Sequence, residues 1–188
     1  TVYLAHALVA PSFRRHGLGA ALRDLARRDG DGARQALGED ADLLLAAEME
    51  PYDAAAPDSI GRLVAYGKDG FGVLDPSVVL YQQPDFRELG AADVARPIPL
   101  LAVVRWCGHE AERLLPRRLA EAYVRHLHAV FATHCRATDL APLAAISLEA
   151  IGRAPDPLPL LRLPTSADDE EALAPLAKRD VLRLYATN

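Results

Sequence analysis

The stretch VAPSFRRHGLG, Val9 to Gly19, sets Arg14, Arg15, His16 and two glycines between two apolar runs. A loop that leaves a strand and enters a helix exposes the first amide hydrogens of that helix, and small residues let an anion come close to them. Gly17 and Gly19 give that access, while Arg14 and Arg15 add the positive charge that suits a pyrophosphate. The plainer alternative is a tight turn with solvated arginines, and a lone R-x-x-G-x-G does not decide between the two. Proton transfer has three further candidates in Tyr66, Glu48 and Glu50. The two glutamates are two apart on one expected strand, hence on one face of it. Against them stands the usual fate of such residues: glutamates at a strand end are solvated, and a tyrosine at a helix end packs. His6, on the first strand, reads most simply as an inert hydrogen-bonded group. His126, His128, His134 and Cys135 fan out around one helix rather than sharing a face, so no metal site is expected.

These residues need elements to hold them. Val2 to Val9 reads as a strand ended by Pro11 and Ser12, and His16 to Arg28 as a helix stopped by Gly30 and Gly32. The apolar run Leu43 to Ala47 fits a strand buried on both faces. Ser59 is placed to cap a helix that carries Ile60, Leu63 and Val64 and ends near Gly67 and Gly70. SVVLYQQP and IPLLAVVRW read as two more strands. Beyond Gly108 the pattern becomes helical, over Glu110 to Thr133 and Asp139 to Ile151. The proline-rich APDPLPLLRLP reads as an extended connector, and Ser166 with ADDEEAL as a helix start. Strands alternating with helices imply an α/β sheet with a parallel portion.

Composition narrows the function classes. The 188 residues are enough for one sizeable core with an appendage. A formal net charge of −5 argues against an electrostatic grip on nucleic acid. Cys107 and Cys135 form no C-x-x-C pair, which fits a reducing compartment, and the cytoplasm is the expected location. No apolar run reaches the roughly twenty residues that a membrane span needs.

LVAPSFRRHGLGAAL resembles the acetyl-CoA-binding signature of the GNAT family of N-acetyltransferases, in which V-x-P ends a strand and R/Q-x-x-G-x-G/A opens a helix. Arg14, Gly17 and Gly19 fill the signature positions. A second, ordered likeness follows in LVAYGKDGF, which is similar to the family's Y-x-x-x-G-F pattern through Tyr66, Gly70 and Phe71. The resemblance covers about Thr1 to Trp106. It implies a mixed GNAT-type sheet and an acetyl-CoA pyrophosphate held along Arg14, Arg15, His16, Gly17, Leu18, Gly19 and Ala20. It also implies a thioester carbonyl polarised by main-chain amide near Leu8 or Val9, where the strand splays from its neighbour, and Tyr66 as the general acid. Ser59 stands where relatives carry a cofactor-contacting asparagine. Glu48 and Glu50 are the candidates for taking the proton of the amine.

The family's fold begins with a strand, two helices and two more strands before the signature, whereas Thr1 here falls inside what the resemblance makes the fourth strand. The expectation is therefore an N-terminally incomplete core over residues 1–108, followed by a mainly helical extension over 109–188. A bare strand edge must be covered, by a second copy in a homodimer, by a separate N-terminal segment, or by that extension. Two functions stay open: transfer of acetyl to an amine of a small molecule or protein, and a catalytically silent acetyl-CoA-binding or assembly module.

Overall fold

The computed structural model describes residues 1–5, 9–13, 16–36, 38, 41–56, 58–88, 90 and 93–186. Two apolar strands make its centre. β2 (Leu44–Met49) and β6 (Leu101–Trp106) run antiparallel, with Leu44 opposite Trp106 and Met49 opposite Leu101. Their sequences are nearly continuous in apolar residues because both faces are covered. Leu44 and Ala46 enter one hydrophobic cluster, and Leu45, Ala47 and Met49 enter the other. β1 (Val2–Tyr3) lies parallel to β2 on its outer side. β3 (Gly72–Leu74) pairs antiparallel with the far side of β6. β7 (Leu114–Leu115) and β8 (Leu158–Arg162) complete a six-stranded mixed sheet in the order β1-β2-β6-β3-β8-β7. A separate two-stranded ladder joins β4 (Gln82–Gln83) to β5 (Ile98–Pro99).

Helices cover both faces. α3 (Arg117–Phe131) turns Leu119, Tyr123, Val124 and Leu127 into the cluster that holds Leu44 and Ala46, and α4 (Ala137–Arg153) packs behind it through Leu140 and Ile151. Leu127 is fully buried, so Leu127→Ala removes apolar contact worth about 2–5 kcal/mol. The opposite face receives Leu63 of α2 (Asp58–Lys68), then Leu173 of the short α5 (Glu170–Leu173) and Val181 of α6 (Lys178–Ala186). α1 (Leu18–Ala36) joins the two parallel strands. No helix among the described residues is long and apolar enough to cross a membrane.

Several sequence expectations are corrected. α1 runs through Gly30 and Gly32 rather than stopping there. A Cβ at Gly30 would sit 2.8 Å from Leu43 Cδ1 and 2.9 Å from Val2 Cγ2, so this glycine serves a close helix–sheet approach. The helix is carried onward by the Arg28–Asp24 and Arg27–Asp31 pairs, both at 2.8 Å with i, i+4 spacing. The first strand extends over Val2 and Tyr3 within the described residues. Of SVVLYQQP only Gln82 and Gln83 are strand. The helix expected from Glu110 begins after Pro116, which stands at its N-cap, while Leu114 and Leu115 form β7. The proline-rich connector contains β8, whose single proline, Pro159, leaves enough of its ladder intact to pair with β3 and β7. Residues 109–188 thus supply two strands as well as helices, and these strands extend the edge opposite β1.

Candidate functional site

α1 begins at Leu18, and Gly17 before it takes φ 77°, the left-handed region that glycine enters without strain. Ala21 N–H donates to Gly17 O at 3.0 Å, closing the first turn. His16, Gly17, Leu18 and Ala20 are exposed, and Gly19 is half-buried. Nothing lies within 4 Å of an added Cβ at Gly17, and at Gly19 only Arg23 Nη1 does, at 3.4 Å. The described part of the loop therefore leaves room for an anion against the first amides of a long helix. His6, Leu8, Arg14 and Arg15 lie outside the described residues, and Val9 is half-buried.

One turn and a half into α1, Arg23 is buried and reaches α2. Its guanidinium stands over the Tyr66 ring, 4.5 Å from the centroid, and pairs with Asp69 at 2.5 Å. The Tyr66 ring also meets Phe71 edge-on at 4.8 Å. Its hydroxyl has no hydrogen-bond partner among the described residues. The Y-x-x-x-G-F spacing has a local cause as well. Tyr66 O accepts from Phe71 N–H at 3.1 Å, Gly67 O accepts from Gly70 N–H at 3.1 Å, and Gly70 has φ 78°. That is a Schellman turn, closed by the Tyr66–Phe71 contact, and it demands glycine at position 70.

Glu48 lies on the other face of β2. Its Oε2 accepts from Tyr3 Oη at 2.5 Å and Gln83 Nε2 at 2.9 Å, and its Oε1 accepts from Tyr81 Oη at 2.6 Å. Burial, with the charge of Glu48 beside it, raises Tyr3 well above the usual phenol range. Burial, then Tyr123 and Glu48, does the same for Tyr81. Tyr123 Oη donates to Ala47 O at 2.9 Å, so three phenols support the end of β2. The β1–β2 ladder covers Val2 and Tyr3, and Leu4 N–H adds a bond to Ala46 O at 2.8 Å. Beyond it, among the described residues, the outer main chain of β2 at Glu48 has no main-chain partner.

Glu50 parts company with Glu48. β2 ends at Met49 and the chain turns, so the strand alternation stops short of Glu50, which pairs with Arg62 of α2 at the surface. Ser59 is buried and engaged elsewhere: its Oγ accepts from Asp53 N–H and donates to Asp53 O, both at 3.3 Å, binding α2 to the preceding loop. A cleft of about 460 Å³ opens beside α1 and the end of α2, lined by Ala20, Arg23, Lys68, Asp69, Arg105 and Glu110. Its acids and bases largely satisfy one another, as in Arg105–Glu110 at 2.9 Å, and neither Tyr66 nor Glu48 forms its wall. Among the described residues no three His, Cys, Asp or Glu side chains are grouped to hold a metal ion.

The structure thus brings Tyr66 near the opening of α1, through Arg23, and sets Glu48 across the strand from it. Sequence reasoning missed Arg23, Tyr3, Tyr81 and Gln83. Arg23 carried a faint signal, being a charged residue on the inward side of an amphipathic helix, whereas Tyr3 on one segment and Tyr81 and Gln83 on another are brought to Glu48 only by the fold. No family model, curated protein or solved structure matches the chain.

Proposed function

We propose that the chain binds acetyl-CoA at the turn that opens α1 and transfers acetyl to an amine of a small molecule or protein, on a sheet of the GNAT type. The observation that carries this reading is the open glycine turn at Gly17, set between two parallel neighbouring strands and linked through Arg23 to the ring of Tyr66, whose hydroxyl has no hydrogen-bond partner among the described residues. Gly17, Leu18, Gly19 and Ala20 would hold the pyrophosphate, with Arg14 and Arg15 adding charge. The bound cofactor supplies an activated thioester carbonyl.

The rest of the chemistry falls to this chain's own side chains. When the amine nitrogen bonds to the carbonyl carbon and the C–S bond breaks, the departing thiolate needs a proton and the new ammonium must lose one. Tyr66 Oη gives the first, its ring held by Arg23 and Phe71. Glu48 takes the second on the lone pair that Oε1 has left, directly or through water. The strand between them favours one further reading, a module that binds the cofactor without turnover, because the two proton carriers do not share a face.

Isothermal titration with acetyl-CoA tests the binding. Gly17→Glu places a carboxylate where phosphates would lie and strains a left-handed backbone, so affinity should fall at least about tenfold. Unchanged affinity defeats the assignment. Release of free thiol in the presence of an amine panel then separates the enzyme from the silent module.

A further inference from the structure

The mechanism just described leaves α6 without a task, yet its Tyr185 is tied to the residue that holds Glu48. Tyr185 Oη accepts the N–H of Tyr81 at 2.9 Å and donates to the carbonyl of the same residue at 2.6 Å. A single hydroxyl thereby brackets the main chain of residue 81. The Tyr81 side chain is buried and ends on Glu48 Oε1 at 2.6 Å. α6 is in turn registered against the end of β2. Tyr52 N–H donates to Leu176 O at 2.8 Å and Lys178 N–H to Tyr52 O at 2.7 Å, while Lys178 Nζ meets Asp53 at 2.8 Å. The bonds form a closed circuit: out from β2 along its loop, across to the start of α6, along that helix to Tyr185, and back through Tyr81 to the carboxylate on β2.

We infer that Tyr185 is a positioning residue for Glu48, acting through Tyr81, and that the C-terminal helix sets which lone pair of the carboxylate is left open. Tyr3 and Gln83 occupy Oε2, so the remaining acceptor site is on Oε1, the oxygen whose direction Tyr81 fixes. A tilt of the Tyr81 main chain changes the direction in which that site points. The catalytic consequence rests on the reading of Glu48 as proton acceptor, whereas the positioning itself does not.

Two readouts test it. A phenol bound to a carboxylate and shielded from water gives a downfield, slowly exchanging hydroxyl proton in the NMR spectrum. The Tyr81 signal is identified by its loss in Tyr81→Phe, and that of Tyr3, the other phenol on Glu48, by its loss in Tyr3→Phe. Tyr185→Phe keeps the ring and removes both bonds to residue 81, and it should move the Tyr81 signal while leaving that of Tyr123 in place. A Tyr81 signal that stays put in this variant overturns the proposal. In turnover, Tyr185→Phe should lower kcat roughly tenfold with KM for acetyl-CoA unchanged, and should add nothing to the loss in Glu48→Gln, as coupled neighbours do. Full kcat, or losses that add independently, also overturns it. If Tyr185→Phe does not fold, Lys178→Met, which cuts only the ion pair anchoring α6, carries the same two readouts. A chain that transfers no acetyl group defeats the functional reading, and the Tyr81 signal then decides the positioning on its own.

Discussion

On one face of β2 Tyr66 keeps a hydroxyl without a hydrogen-bond partner among the described residues, its ring under a guanidinium supplied by the preceding helix; on the other, Glu48 receives three donors from two segments distant from it in the sequence. The first arrangement leaves a proton free to leave and asks little of the surrounding fold. The second fixes a carboxylate firmly and draws on most of the chain to do so. A group that must donate needs an open side, and one that must accept from a fixed direction needs its other valences filled. Under the proposed acetyl transfer, the contrast predicts that Tyr66 matters to chemistry far more than to stability, and that Glu48 matters to both.

The largest effect expected is on turnover. Tyr66→Phe retains the ring, the contact with Phe71 and the Schellman turn, and removes only the hydroxyl that would donate the proton, so kcat should drop by a factor of about a hundred to ten thousand with acetyl-CoA affinity kept. A variant with undiminished kcat would make Tyr66 a capping residue and end the comparison. Chemical denaturation sharpens it next. Glu48→Ala strands the hydroxyls of Tyr3 and Tyr81 and the amide of Gln83, and should cost about 2–3 kcal/mol, since donors left unsatisfied lose their full desolvation penalty. Tyr66→Phe should cost less than about 0.5 kcal/mol. Equal losses at the two positions would show that neither face is special.

The smallest effect comes from acid and belongs to the Glu48 face. His128 of α3 is buried, neither ring nitrogen has a hydrogen-bond partner among the described residues, and it lies edge-on to Phe131, which itself packs on Tyr3 at 5.8 Å. Burial lowers its pKa. The unfolded chain, with an ordinary value near 6.5, therefore takes up the proton first, so stability is complete above about pH 6.5 and declines as the pH falls below it. The melting temperature should fall between pH 7 and pH 5, and His128→Leu should flatten that slope. A wild-type slope that survives the substitution would assign it elsewhere, with His126, also lowered chiefly by burial, the next group to test.

Much of the central sheet was legible because its cause is local. Leu43 to Ala47 and Leu101 to Val104 are apolar without interruption, as a short strand covered on both faces is. The glycine turn at Gly17 and the end of α2 at Gly70 were legible for a similar reason, since a positive φ leaves a mark on the sequence. Gly30 misled because glycine also marks close packing, and the residues it packs on, Val2 and Leu43, are brought there by the fold. The prolines around Leu160 hid β8, whose partners β3 and β7 are distant in sequence. The donors to Glu48 were illegible for the same physical reason: Tyr3, Tyr81 and Gln83 form one site only after the chain has closed on itself, and Glu50 left that site because its strand ends one residue too soon.

β8 also governs when the molecule can finish folding. β3 has β6 on one side, joined soon after it is made, but its other side waits for Leu160 to Arg162, which follow after two long helices. During synthesis the sheet must therefore stand with an open ladder at Gly72 to Leu74, and the α2 face lacks Leu173, Leu176 and Val181 for still longer. Pairings this far apart in the chain form slowly, and an exposed edge beside uncovered apolar surface is what chaperones recognise. A nascent chain halted at Trp106 would hold β2, β3 and β6 yet remain prone to aggregate, and solubility should appear only once the residues through α6 have left the ribosome.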